Sequence, residues 1–239
     1  MDTLFWKKQH KDIKVDKTTK QYFKKYLYKL EVFAPGCKSL HQESIEDHLE
    51  TRKKMNKSYN YAGSWLNVNM LEWLGIADIE FLNDLKSLKE KYPTLKFRTE
   101  EPKLHIYSDN EKILKDFVLD IKSDKKIHLM RFTAPENSNH EKALISNKII
   151  VNTKPKFQYK VQLKEKKYSE YTRNAVHNYL ENMGNLVHMS PATKIHLTKP
   201  HGWMWGGLFY TNDSGIVDFV RLIEPDIIRE VCELVYIEE

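Results

Sequence analysis

Apolar and polar residues alternate with period two in YKLEV (Tyr28–Val32), and the same alternation returns in YKVQL (Tyr159–Leu163). Each strand signal precedes a stretch of helical periodicity, first SIEDHLETRKKM (Ser44–Met55), then YSEYTRNAVHNYLENM (Tyr168–Met183). LKFRTEEP (Leu95–Pro102) next pairs with TKIHLTKP (Thr193–Pro200), both predicted as short strands closed by a polar turn with proline. LHIYSDNEKILKDFV (Leu104–Val118) then matches LFYTNDSGIVDFV (Leu208–Val220). In both, an aromatic strand ends at Ser or Thr followed by Asp or Asn, the chemistry of a helix N-cap. A last apolar strand closes each series, IHLMRFT (Ile127–Thr133) and EVCELVYI (Glu230–Ile237).

Four matched segments in one order make this an internal duplication. Each copy reads β-α-β-β-α-β, which predicts an α+β chain of two tandem ferredoxin-like (βαββαβ) halves. Each half would be a four-stranded antiparallel sheet with helices on one face. The boundaries are a basic N-terminal arm or short leading helix at 1–20, a first half at 21–133, a linker at 134–147 and a second half at 148–239. The first half carries an insertion at 57–93 that reads as two amphipathic helices broken at Gly75, with Trp65 and Trp73 as packing residues. Ile149–Asn152 offers an extra strand ahead of the second copy.

Charge adds a direction to this layout. The 239 residues carry a net +6. Most of the positive charge is lysine, in a Lys-, Asn- and Ile-rich usage that also marks AT-rich genomes, so bulk charge alone says little about partners. Its distribution says more: residues 1–30 and 148–167 are each +6, whereas 201–239 is −6. Basic stretches attract phosphate backbones. No apolar run reaches the roughly 20 residues of a membrane span, and MDTLFWKKQHKD lacks the apolar region of a secretory signal. Cys37 and Cys232 are the only cysteines, which excludes a disulfide framework and makes a reducing cytoplasm the expected location. No Walker loop, G-x-G-x-x-G, G-x-S-x-G or HExxH occurs, and no cofactor or metal is expected.

Strand alternation assigns faces. Tyr28, Leu30, Val32, Phe97, Leu104 and Ile106 should point to the core, leaving Lys29, Glu31, Lys96, Arg98, His105 and Tyr107 on the open face. In the second copy Val161, Ile195 and Leu197 go inward, leaving Lys160, Gln162, Lys194, His196 and Tyr210 outward. The last strand of the first half adds His128 and Met130. Lysine and arginine beside exposed aromatics make a surface suited to single-stranded nucleic acid, where bases stack and cations meet phosphates. Lys29, Lys96, Arg98, Lys160 and Lys194 are the expected phosphate contacts, with Tyr107, Tyr210, Trp203 and Trp205 as stacking residues. Trp203 and Trp205 are placed in a glycine-flanked hairpin between the second and third strands of the second half.

In HGWMWGGLFYT (His201–Thr211), Gly206-Gly207 followed by Phe209 and Tyr210 resembles the third-strand pattern of the RNA-recognition motif, without its basic lead residue or its later aromatic spacing. The tandem layout is also similar to that of repeat-associated CRISPR RNA endonucleases, whose C-terminal glycine-rich loop has no counterpart in the acidic stretch Ile227–Glu239. These resemblances imply RNA binding. The expected function is therefore a cofactor-free RNA- or single-stranded nucleic-acid-binding protein rather than an enzyme. One alternative is a metal-independent endoribonuclease or phosphodiesterase using His105, His196 and Tyr107 as acid and base. It is thinned by the single complete H-x-T element, His196–Thr198. A second alternative is an assembly protein of viral kind, in which open sheets meet a protein partner or a second copy.

Overall fold

The computed structural model describes residues 2–58, 76–200 and 202–237. Trp65, Trp73 and the first of the two expected insertion helices lie outside them. The chain divides into two compact units, Met1–Glu141 and Lys142–Glu239. It is an α+β protein with one five-stranded sheet in each unit.

In the first unit, helix α1 (Thr3–Gln9) leads into β1 (Lys14–Lys17), β2 (Tyr28–Phe33), α2 (Ile45–Ser58), α3 (Ile79–Lys91), β3 (Lys96–Glu100), β4 (Lys103–Ser108), α4 (Glu111–Asp120) and β5 (Leu129–Ala134). The strand order is β1-β5-β2-β4-β3. Strands β2 to β5 pair antiparallel, and β1 adds to β5 in parallel. The expected sheet of four antiparallel strands is thus enlarged by residues that read as an N-terminal arm. Trp6 explains why that segment docks: its ring is fully buried and stacks on Phe132 with centroids 3.8 Å apart. An apolar ring that buries this much area does not stay in solvent.

Helix α5 (Ser138–Ile145) occupies the segment expected to be a linker and spans the boundary between the units. The second unit runs β6 (Ile149–Ile150), β7 (Tyr159–Leu163), α6 (Glu170–Asn182), β8 (Val187–Met189), α7 (Pro191–Thr198), β9 (Leu208–Thr211), α8 (Ser214–Ile223) and β10 (Ile228–Val235). Its sheet order is β6-β10-β7-β9-β8, again with one parallel edge pair, β6 on β10. Val161, Leu163 and Phe209 from the sheet share one buried core with Val176 and Leu180 of α6, Leu197 of α7 and Val217 and Val220 of α8.

The duplicated caps are present in detail. Asn110 caps α4 by accepting from Lys112 N, and Asp213 caps α8 by accepting from Gly215 N. In each, the hydroxyl two residues earlier accepts from the cap's own N–H, Ser108 at 3.0 Å and Thr211 at 3.1 Å.

One strand was misplaced by alternation. Thr193–Thr198 is not a strand but part of α7, and the strand beside β9 is Val187–Met189. Ser190 caps this helix by accepting from Thr193 N, and Pro191 sits in its first turn, where its missing N–H costs nothing. Ile195 is accordingly exposed rather than inward, while Leu197 is buried. His128 ends a 3-10 turn (Ser123–His128) ahead of β5 instead of joining the strand. Its ring stacks on Phe81 of α3 at 4.5 Å. Among the described residues no helix is long and apolar enough to cross a membrane.

Candidate nucleic-acid interface

On the first sheet, the row opposite the core runs Lys96, Tyr107, Lys29, Thr133 across β3, β4, β2 and β5. The next row runs Arg98, His105, Glu31, Arg131. The charges of the second row are paired, Arg98 with Glu100 and Arg131 with Asp16, and Glu31 reaches into the first row. Glu31 faces Lys103 at 3.2 Å, His105 Nδ1 at 3.6 Å and Lys29 at 3.8 Å. His105 Nε2 lies 3.1 Å from Glu100, which also pairs with Arg98. Burial works against ionising Glu31, but the lysine hydrogen bond and the surrounding positive charge outweigh it and hold the carboxyl below its usual range. Burial also pushes the His105 imidazole below the usual histidine value, against the pull of both carboxylates. Lys29 and Arg98 are thus committed to neighbours.

This face is also covered. His105 is 7% exposed and Tyr107 5%, so neither stands on an open surface as alternation predicted. The covering segment is a tight turn, Tyr22–Tyr26, closed by Tyr26 N donating to Tyr22 O and Tyr22 N to Tyr26 O. Phe23 meets Tyr107 edge to face at 5.0 Å, and Tyr22 lies 5.3 Å from it. Lys96 Nζ sits 4.3 Å over the Phe23 ring. Period-two alternation tells which face a side chain takes, not whether another segment lies on that face.

The second sheet repeats the row with different neighbours: His188, Tyr210, Lys160, Cys232 across β8, β9, β7 and β10. His188 is exposed, and Tyr210 and Lys160 are half-buried. Phe157, just ahead of β7, lies roughly parallel to both rings, 6.3 Å from His188 and 6.4 Å from Tyr210. Lys156 Nζ stands 5.3 Å from the Phe157 ring. Of the lysines in 148–167, Lys148, Lys164 and Lys166 pair with acids of the β10 region. Lys154, Lys156, Lys160 and Lys167 form no ion pair among the described residues. Lys154 lines a cleft of about 520 Å³, together with Pro155, Gln158, Asn212, Leu234 and Tyr236.

Trp203 and Trp205 lie in the loop from α7 to β9, not in a β-hairpin. They are 50% and 62% exposed, with ring centroids 5.9 Å apart, while Met204 between them is fully buried. Met204 N donates to Lys166 O, and Trp203 bridges to Lys167. Two glycines make this possible. Gly202 has φ +68° and would set a Cβ 2.8 Å from Tyr168 O, and a Cβ on Gly207 would fall 2.7 Å from Met204 Sδ. Arg173, buried in α6, holds the other end of the loop by donating to the carbonyls of Leu197, at 3.2 Å, and Lys199.

The remaining candidates scatter. Lys194 and His196 sit on α7, where Lys194 pairs with Glu181 at 2.8 Å and His196 is half-buried. His105 and Tyr107 belong to the first unit and His196 to the second. Among the described residues no group of three or more His, Cys, Asp or Glu is placed to hold a metal ion.

Sequence reasoning missed Lys156, Phe157 and His188 as site residues. Phe157 precedes its strand and carries no alternation signal, and His188 was hidden by assigning the second strand six residues too late. The geometry offers stacking planes beside cations that form no ion pair among the described residues. The chain matches no protein-family model, and no curated protein is significantly similar to it in sequence.

Proposed function

We propose that the chain binds RNA or single-stranded DNA on the outer face of its second sheet. Bases would stack on Phe157, Tyr210 and His188, while Lys154, Lys156 and Lys160 meet phosphates. The observation that carries this reading is the coincidence of three clustered rings with lysines that form no ion pair among the described residues. The exposed Trp203–Trp205 pair, fixed by buried Met204, supplies further stacking surface in the same unit.

The architecture we favour is two tandem ferredoxin-like halves, each extended by a leading parallel strand. With β1 and β6 set aside, both sheets run last, first, third, second strand of their own half, which supports that topology. Two buried cysteines, neither in a disulfide, suit a reducing cytoplasm.

Fluorescence anisotropy of a labelled single-stranded RNA of about 20 nucleotides tests the reading, titrated at about 50 and 200 mM salt. Salt-sensitive binding that weakens in Lys156→Ala/Lys160→Ala is expected. No binding at the lower salt overturns it and leaves a protein-assembly role. Cleavage of the RNA in EDTA would instead favour the metal-independent nuclease.

A further inference from the structure

The two sheets present the same row in the same register, Lys29 opposite Tyr107 in the first and Lys160 opposite Tyr210 in the second. On the second sheet two rings, Phe157 and His188, lie near the tyrosine. On the first, a complete turn does. Tyr22, Phe23 and Tyr26 all lie within 6.3 Å of Tyr107, and Lys96 and Lys29 stand over Phe23 and Tyr22. Aromatic rings packed on this tyrosine with lysines above them hold the place that the bases and phosphates of a single strand would take.

The turn is held in an unfavourable backbone. Phe23 and Lys24 have φ of +53° and +56°, successive left-handed positions that asparagine and glycine adopt readily and phenylalanine does not. Phe23 nonetheless remains about half exposed. Strain of this kind persists only where tertiary contacts hold it, and the contacts to Tyr107 and Lys96 are among those that do.

We propose that the Tyr22–Tyr26 turn occupies, in place of a ligand, a second base-stacking site on Tyr107, with Lys96 as its cation, and that single-stranded nucleic acid displaces it. This rests on the reading of the second sheet as a nucleic-acid face. It makes the first half a closed copy of that face, opened when a single strand competes with the turn.

The test is Phe23→Asn/Lys24→Gly, which keeps a tight turn but removes the ring and the strain. Binding stoichiometry would be measured by titration calorimetry with an oligonucleotide of about 6 nucleotides, near the footprint of one small domain. One site per chain is expected in the native protein and two in the variant. Phe23→Ala serves if the double variant does not fold. In the native protein, saturation with an oligonucleotide of about 20 nucleotides should speed hydrogen exchange at the amides of Lys25 and Tyr26. One site in native protein and variants alike, with unchanged exchange, overturns the latent site and leaves the second-sheet reading intact. Failure of native protein and variant to bind at all overturns both.

Discussion

Tyr210 stands directly opposite Lys160 across β7 and β9, with Phe157 laid near the tyrosine ring. The pairing puts a stacking plane and an unneutralised ammonium side by side, so the two should contribute separately. Tyr210→Ala should weaken single-stranded RNA binding by about 1–3 kcal/mol, the range for one base–aromatic stack, with the salt slope unchanged. Lys156→Ala/Lys160→Ala should instead flatten the slope of log K against log salt by about 1.4, two phosphate contacts on a single strand. Anisotropy titrations at several salt concentrations separate the two. Equal slopes in the lysine variant would move the phosphate contacts elsewhere.

The α7–β9 loop divides its roles between neighbouring residues. Trp203→Ala/Trp205→Ala should reduce binding while barely changing the denaturation midpoint, since both rings face solvent. Met204→Ala should do the reverse in kind, costing about 2–5 kcal/mol of stability because it empties a buried site. Urea denaturation beside binding assays reads both. A large stability loss in the tryptophan variant would show that the pair packs rather than binds.

The N-terminal segment should behave as core. Trp6→Ala removes a fully buried ring stacked on Phe132 and should cost about 3–5 kcal/mol. A change below about 1 kcal/mol in chemical denaturation would mean that 1–20 is an appendage after all.

Acidity should act through the covered face. His105 titrates below its usual value of 6.5 when folded, chiefly because it is buried. Its unfolded form takes up a proton first as pH falls, so folding stability drops below about pH 6.5 and levels off once the folded imidazole is protonated. Glu31 acts lower down, since its folded carboxyl is depressed. The stability it contributes is present above its usual value of 4.5 and is lost as pH falls through the folded value. His105→Gln should therefore flatten the stability–pH curve just below 6.5 while leaving the acid limb in place. An unchanged curve in that window would assign the effect to His41, His48 or His128, which burial also depresses.

The two sheets of this α+β fold were legible because they are written in local pattern: alternation in β2, β4, β7, β9 and β10, and hydroxyl-plus-Asx caps before α4 and α8. Core residues such as Leu30, Ile106 and Val161 followed from it. What local pattern does not encode is which segment lies on a finished sheet. Tyr107 was given the correct face and the wrong exposure, because the turn that covers it lies more than eighty residues earlier in the chain. Ile195 and Leu197 mimicked a strand within a helix too short for its own period to show, although Ser190-Pro191 marked its start. Phe157 needed Tyr210 and His188 already in place to be recognised.

The two parallel edge pairs also set an order of assembly. β5 lies between β1 and β2, and β10 between β6 and β7, so in each unit the last strand made is an interior strand of the sheet. Lys14 awaits Arg131, and Ile149 awaits Leu234. During synthesis each sheet therefore stays split until its final strand emerges and slots into the gap. Loop closure over such separations slows folding, and each half passes through a stage with two unpaired edges facing a chaperone or another nascent chain.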